Sequence, residues 1–115
     1  MIDRLGTCKI TDFGRAIEGV DHEDGLVRGT GPYIAPEMFN MNPNPKADIW
    51  SFACITLEML TGVKPWGELR HPLQIAYKVC IEKEIPSIPS TCESAGFLSL
   101  CFTHEYVIVF GCDPI

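Results

Sequence analysis

The stretch Ile49–Leu60, IWSFACITLEML, most limits what this chain can fold into. Ile49, Trp50, Phe52, Ala53, Ile55, Leu57, Met59 and Leu60 cover nearly the whole circumference of a helix instead of one stripe. A helix apolar all round is a buried helix, because every face needs a partner to leave water. Asp48 stands where a carboxylate can accept from free first-turn amides, and Gly62 supplies a stop. The spacing therefore predicts a central helix from Asp48 to Gly62, surrounded by other elements. The segment is too short to span a bilayer and contains Glu58.

The surrounding elements are few. TCKIT at 7–11 alternates, Cys8 and Ile10 against Lys9 and Thr11, and predicts a short strand. Residues 15–33 carry glycines without sustained periodicity and read as a long loop, a kind more often functional than idle. A second helix is expected from Pro72 to about Glu84, with Leu73, Ala76, Tyr77 and Cys80 as its apolar stripe. IPSIPS interrupts it. Ser90 and Glu93 then have capping-box spacing ahead of a last helix that faces inward through Ala95, Leu98, Cys101 and Phe102. The closing YVIVF, from Tyr106, switches to a β-type run.

Composition narrows the partners. Apolar residues make up 46% of the 115, which argues for a folded chain of one domain at most. A formal charge of −6 disfavours nucleic acid and anionic membrane, both of which need a basic surface. MIDRLG lacks the basic-then-apolar pattern of a signal peptide. The six cysteines are scattered with no C-x-x-C pair and read as buried reduced thiols in a cytoplasmic protein, with zinc ligands or disulfides as the alternatives. His22, His71 and His104 have no metal spacing and are expected on the surface or in loops. Trp50 and Trp66, amid apolar neighbours, are expected in the core.

Four motifs then occur in order: KITDFGRA, GTGPYIAPEM, KADIWSFACITLEMLTG and KPWGEL. Together they resemble the second half of a protein kinase domain. The fold implied is mainly α: the helical C-terminal lobe of a protein-kinase-like fold, with a short strand and the activation segment at its amino end. The likeness covers residues 1–105 and leaves 106–115 as a divergent tail. Gly29-Thr30 followed by IAPE is similar to the serine/threonine branch. GVKPWGEL, IPSIPS and FLSLCF are most similar to MAP kinase kinase kinases.

The resemblance assigns roles residue by residue. Asp12 matches the carboxylate that holds Mg²⁺ on the phosphates of ATP, a hard cation that prefers carboxylate oxygen. Phe13 would pack between lobes, and Gly14 would permit a backbone bend. Thr30 would contact the catalytic base, and residues 30–35 would lie beneath the substrate peptide. Ala35, Pro36 and Glu37 form the structural APE motif, in which Glu37 normally pairs with a buried arginine. Asp48 would tie the long helix to the catalytic-loop backbone, beside the buried Trp50. Implied partners are a protein substrate or a partner kinase, with no nucleic acid and no membrane.

The departures bear on activity. No glycine-rich loop, phosphate-contacting lysine or H-R-D catalytic loop occurs within residues 1–115. The single carboxylate, Asp12, is a poor holder of Mg²⁺ and ATP by itself, so this chain alone is expected to be inactive. A non-catalytic, pseudokinase-like interaction module or a truncated product without function are the alternatives. Tyr106 and Val109 stand where the family has a proline and an arginine, so Glu37 is expected to lose its partner, at about 3–5 kcal/mol for a buried carboxylate. Ala53 replaces a usual glycine. Between Arg15 and Gly29 no Ser, Thr or Tyr offers a phosphorylation site, and Glu18, Asp21, Glu23 and Asp24 supply carboxylates in its place.

Overall fold

The central helix forms as its sequence requires. In a computed structural model, which describes residues 1–16, 31–40 and 44–102, four helices follow in order: α1 Pro36–Phe39, α2 Ala47–Thr61, α3 Pro72–Cys80 and α4 Ala95–Cys101. Gly62 ends α2 in the left-handed region at φ 69°, its amide donating to the Glu58 carbonyl at 2.8 Å. A residue without Cβ takes that conformation at little cost.

The start of α2 differs from expectation. Asp48 lies inside the first turn and is exposed, and no side chain caps the helix. Asn44 makes the turn instead: its side-chain oxygen accepts from the Lys46 amide at 2.8 Å and its carbonyl from Ala47 at 3.0 Å. An Asx turn three residues before the helix has fixed the direction of the chain, leaving a carboxylate at Asp48 nothing to cap.

Burial of α2 is one-sided. Ala47, Trp50, Ala53, Cys54 and Leu57 are buried, with Ala53 and Cys54 fully so. Phe52, Ile55, Met59 and Leu60 stay exposed, Met59 at 72%. The described elements that pack on α2 are α1, α4 and the single turn Gly31–Tyr33. They occupy the Trp50–Leu57 side, so the expected burial on all faces is met on one.

α3 is shorter than the predicted 72–84. It ends at Cys80, and Lys83 turns the chain back at φ 56° while the Glu84 amide donates to the Lys78 carbonyl at 3.0 Å. The inward pair is Ile75 and Val79; Ala76 and Cys80 are half-buried, and Leu73 and Tyr77 are exposed. Both pairs, 73/77 and 75/79, have i,i+4 spacing, so periodicity could not choose between them.

Capping falls on different residues than expected. His71 Nδ1 accepts from the Leu73 amide and Gln74 Oε1 from the His71 amide, each at 3.2 Å, closing a reciprocal box on α3. The predicted Ser90–Glu93 box does not form. The chain reaches α4 through two turns, Cys92 amide to Pro89 carbonyl at 3.0 Å and Ala95 amide to Cys92 carbonyl at 3.1 Å.

α4 faces inward as predicted, through Leu98, Cys101 and Phe102. Phe102 meets Trp50 edge to face, ring centroids 5.0 Å apart. Trp66 is also buried, in a loop where it takes φ 57°. In the connection between α3 and α4, Pro86 is buried and Pro89 exposed.

The predicted strand at 7–11 is reduced to one antiparallel bridge, Ile2 to Cys8. Met1 and Lys9 exchange backbone hydrogen bonds at 2.8 and 3.0 Å, and the Asp3 carboxylate accepts from the Leu5 and Thr7 amides at 2.8 and 2.9 Å. Those two amides hold the Asp3 carboxyl below its ordinary range. A strand needs a partner along its length, and residues 1–3 are too short to provide one beyond Lys9. Ile10 therefore stays exposed, at 87%.

Cys54 and Cys101 are buried free thiols and Cys80 and Cys92 are half-buried, but Cys8 is exposed, against expectation. Among the described residues no helix is long and apolar enough to cross a membrane. The expected 15–33 loop over 17–30, the tail 106–115 and His22, His104 and Cys112 lie outside the described residues.

Candidate functional site

Residues Gly31–Glu37 are packed against the helices that surround them. Gly31, Pro32 and Tyr33 make one helical turn, with the Ile34 amide reaching the Gly31 carbonyl at 3.4 Å. That turn packs against both α2 and α3. Ile34, Ala35 and Pro36 follow it into the core, Ala35 at 1% exposure. Proline at the first position of α1 suits a site where no amide partner is needed.

Polar contacts fix the outer side of the segment. The Tyr33 phenol donates to Glu58 Oε2 at 2.5 Å, and Ser51 Oγ donates to the Tyr33 carbonyl at 2.7 Å. The carboxylate bond, then burial, pushes the Tyr33 phenol up to about 12, because both favour the protonated form. On the α3 side, the Cys80 thiol donates to the Pro36 carbonyl at 3.6 Å. Burial raises the Cys80 thiol above its usual range; the Lys83 charge opposes this and Glu37 adds to it.

Glu37 corrects an expectation. It is half-buried, and it does not lack a partner. The penalty of a buried, unpaired carboxylate does not apply to it.

The Asp12–Gly14 segment has a different setting. All three residues are exposed, Phe13 at 68%, and the Phe13–Arg15 turn packs on none of the described helices. The left-handed backbone falls on Asp12, at φ 66° and ψ 64°, and not on Gly14. Aspartate is one of the residues that tolerate this conformation. A Cβ at Gly14 would meet Asp12 Oδ1 at 3.7 Å, an ordinary contact, so the expected need for glycine there is absent.

Asp12 therefore does not fit Mg²⁺ by itself. Mg²⁺ takes six oxygens in near-octahedral order. Among the described residues no three His, Cys, Asp or Glu side chains come together that could hold a metal. Thr30 lies outside the described residues. Asp48 is exposed at the start of α2, and Trp50, on the same helix, shares the core with Ala35. The structure thus brings Ala35 and Trp50 into one core, buries Pro36, and leaves Asp12, Phe13, Gly14 and Asp48 in water.

Sequence reading missed Ser51, Glu58 and Cys80 as partners of this segment. Glu58 carried a signal, being the one carboxylate inside IWSFACITLEML. Ser51 carried none, since a helical serine ordinarily bonds back to its own helix.

Comparison with known proteins agrees with the motif order. A family model for the protein kinase domain matches residues 1–104. Mitogen-activated protein kinase kinase kinase A of Dictyostelium discoideum is 32% identical over 110 residues, 91% of this chain and 12% of that protein. The serine/threonine-protein kinase BCK1/SLK1/SSP31 of Saccharomyces cerevisiae is 35% identical over 113 residues, 89% of this chain and 8% of that protein. Human mitogen-activated protein kinase kinase kinase 5 is 36% identical over 107 residues, 87% and 8%. The chain spans a small fraction of the length of these relatives. With nearly its whole length matched to one family, it belongs to the protein kinase domain family.

Proposed function

We propose that residues 1–105 are the activation segment and C-terminal lobe of a serine/threonine protein kinase of the MAP kinase kinase kinase kind, and that the chain by itself transfers no phosphate. One contrast carries this reading. The peptide-side segment Gly31–Glu37 is seated on α2 and α3, whereas the Asp12 carboxylate stands exposed on a turn that packs on no described helix. Phosphoryl transfer depends on positioning and charge compensation, so a built platform without a positioned metal carboxylate does not catalyse.

In a complete domain, Mg²⁺–ATP supplies the phosphoryl group and Asp12 is the residue of this chain that would hold the metal. Thr30 would meet the base, and residues 30–35 would lie beneath the substrate peptide. The protein substrate belongs to the cytoplasm on this reading, and the net charge of −6 sets nucleic acid and anionic membranes aside. The exposed apolar faces of α2 and α3 favour a second reading, a non-catalytic module that docks a protein partner.

The test is a paired assay. The purified 115-residue chain, given Mg²⁺ and labelled ATP, should label no protein substrate above a blank. The native polypeptide captured from lysate through an antibody to GTGPYIAPEM should yield phosphoserine or phosphothreonine. Transfer by the short chain, or phosphotyrosine from the captured one, would overturn the proposal.

A further inference from the structure

We infer that Ser51 is a positioning residue: its hydroxyl, donated to the Tyr33 carbonyl, clasps the Gly31–Pro36 segment onto α2 from the backbone side. The choice of acceptor is informative. Ser51 Oγ has one proton and two carbonyls in reach, that of Ala47 on its own helix at 3.3 Å and that of Tyr33 at 2.7 Å. Helical serines usually bond to the carbonyl four residues back. Here the nearer oxygen belongs to a residue 18 positions away, so the proton joins two separate parts of the chain.

The bond also answers a need of the segment. Gly31–Tyr33 is a single helical turn, and its hydrogen bond among the described residues, from the Ile34 amide to the Gly31 carbonyl, is long at 3.4 Å and cannot by itself hold a backbone in place. Ser51 holds Tyr33 at its carbonyl while Glu58, two turns further along α2, holds it at its phenol. Two contacts on one residue fix both its position and its rotation, which one contact would not. Ser51 is half-buried, so water competes only partly for the hydroxyl.

As a statement about the substrate platform, this rests on the kinase reading above; the clasp itself does not. Amide hydrogen exchange of the full 115-residue chain at pH 7 separates the two. The amides of Ile34 and Ala35 report the segment, and those of Ile81 and Glu82, which donate to the Tyr77 carbonyl at the end of α3, serve as an internal reference. Ser51→Ala should speed exchange at 34–35 about fivefold relative to 81–82, the factor for one net hydrogen bond. Ser51→Thr, which restores a hydroxyl, should bring the ratio back to wild type.

An unchanged ratio in Ser51→Ala, or a rise shared equally by both regions, would overturn the inference. So would failure of threonine to rescue. Should Ser51→Ala not fold, Ser51→Cys provides the same comparison, since a thiol is a weak donor: its ratio should rise, and a wild-type ratio would count against the clasp. A clasp found in the 115-residue chain, with no phosphate transfer by the native polypeptide captured from lysate, would sink the kinase role and leave the clasp standing.

Discussion

The Tyr33 phenol donates a 2.5 Å hydrogen bond to the Glu58 carboxylate, joining the Gly31–Tyr33 turn to a residue 25 positions further along the chain. Glu58 is the one acid within the apolar stretch of α2, and it is half-buried. Tyr33→Phe keeps the ring and removes the donor. The expected loss is about 1–2 kcal/mol, the low side of the range for a bond to a charged group because the site is partly solvated. Urea unfolding followed by circular dichroism should show a lower midpoint with an unchanged slope. A midpoint equal to wild type would mean that solvent replaces the phenol without loss.

Alkaline conditions should destabilise the fold in a defined order. Burial holds the Cys54 thiol up to about 12 from an ordinary 9.0, and Tyr33 is held up to about 12 from 10.0. Below pH 9 both groups are protonated in the native and the unfolded chain, so their stabilising contribution is whole. Above it the unfolded thiol, and from pH 10 the unfolded phenol, release protons that the native state keeps. Stability therefore falls as pH rises from 9 toward 12. Urea midpoints at pH 7.5, 9 and 10.5 should decline, and Cys54→Ala should remove the largest share of the part that begins near 9, to which the raised Cys80 and Cys101 thiols also contribute. A flat profile in the wild type would show that Cys54 is not buried in solution.

Much of this arrangement was legible in the sequence, and the gaps have physical causes. Gly62 marked the end of α2 because only the left-handed region stops a helix that way, and Leu98, Cys101 and Phe102 marked the inner face of α4 by spacing. Asp48 misled because a carboxylate near a helix start resembles a cap whether or not a residue further upstream has already made the turn. His71 was passed over as a cap because imidazole seldom accepts an amide proton there. Leu73 and Tyr77 were placed inward because spacing gives the period of an apolar pattern and not its direction. The 7–11 strand failed for want of a partner, which alternation alone cannot reveal.

The thiols should separate by reactivity. Cys8 is exposed, Cys80 and Cys92 are half-buried, and Cys54 and Cys101 are buried, with burial raising both of those thiols above the usual range. Only the thiolate attacks, so burial slows these positions through access and through ionisation together. Under iodoacetamide at pH 7.5, peptide mass spectrometry should find that, among the five described cysteines, Cys8 is labelled first and Cys54 and Cys101 last. Equal rates at Cys8 and Cys54 would show that α2 leaves its packing on the labelling timescale.

Trp50 tests the core directly. It is 2% exposed and meets Phe102 edge to face, so Trp50→Ala removes a large ring and the aromatic contact together. Such truncations cost about 3–5 kcal/mol. Against a total of roughly 5–15 kcal/mol for domains, the loss should abolish a cooperative melt in a chain with one covered face on its central helix. Trp50→Phe, which retains a ring, should keep the melt at a lower temperature. A cooperative transition in Trp50→Ala would mean that α4 is not needed to hold α2.

The uncovered side of α2 makes the opposite prediction. Phe52, Ile55 and Met59 lie at i, i+3 and i+7 and are 53%, 49% and 72% exposed, forming an apolar stripe in contact with water. Replacing all three with glutamine removes no buried contact comparable to that of Trp50. Exposed positions usually respond within about 0.5 kcal/mol each, so the melting temperature should move little. Binding of an apolar dye and the proportion of large species in sedimentation should both fall, because exposed apolar area drives both. Loss of the cooperative melt in this variant would instead show that the stripe is packed in solution and that α2 is covered on both faces.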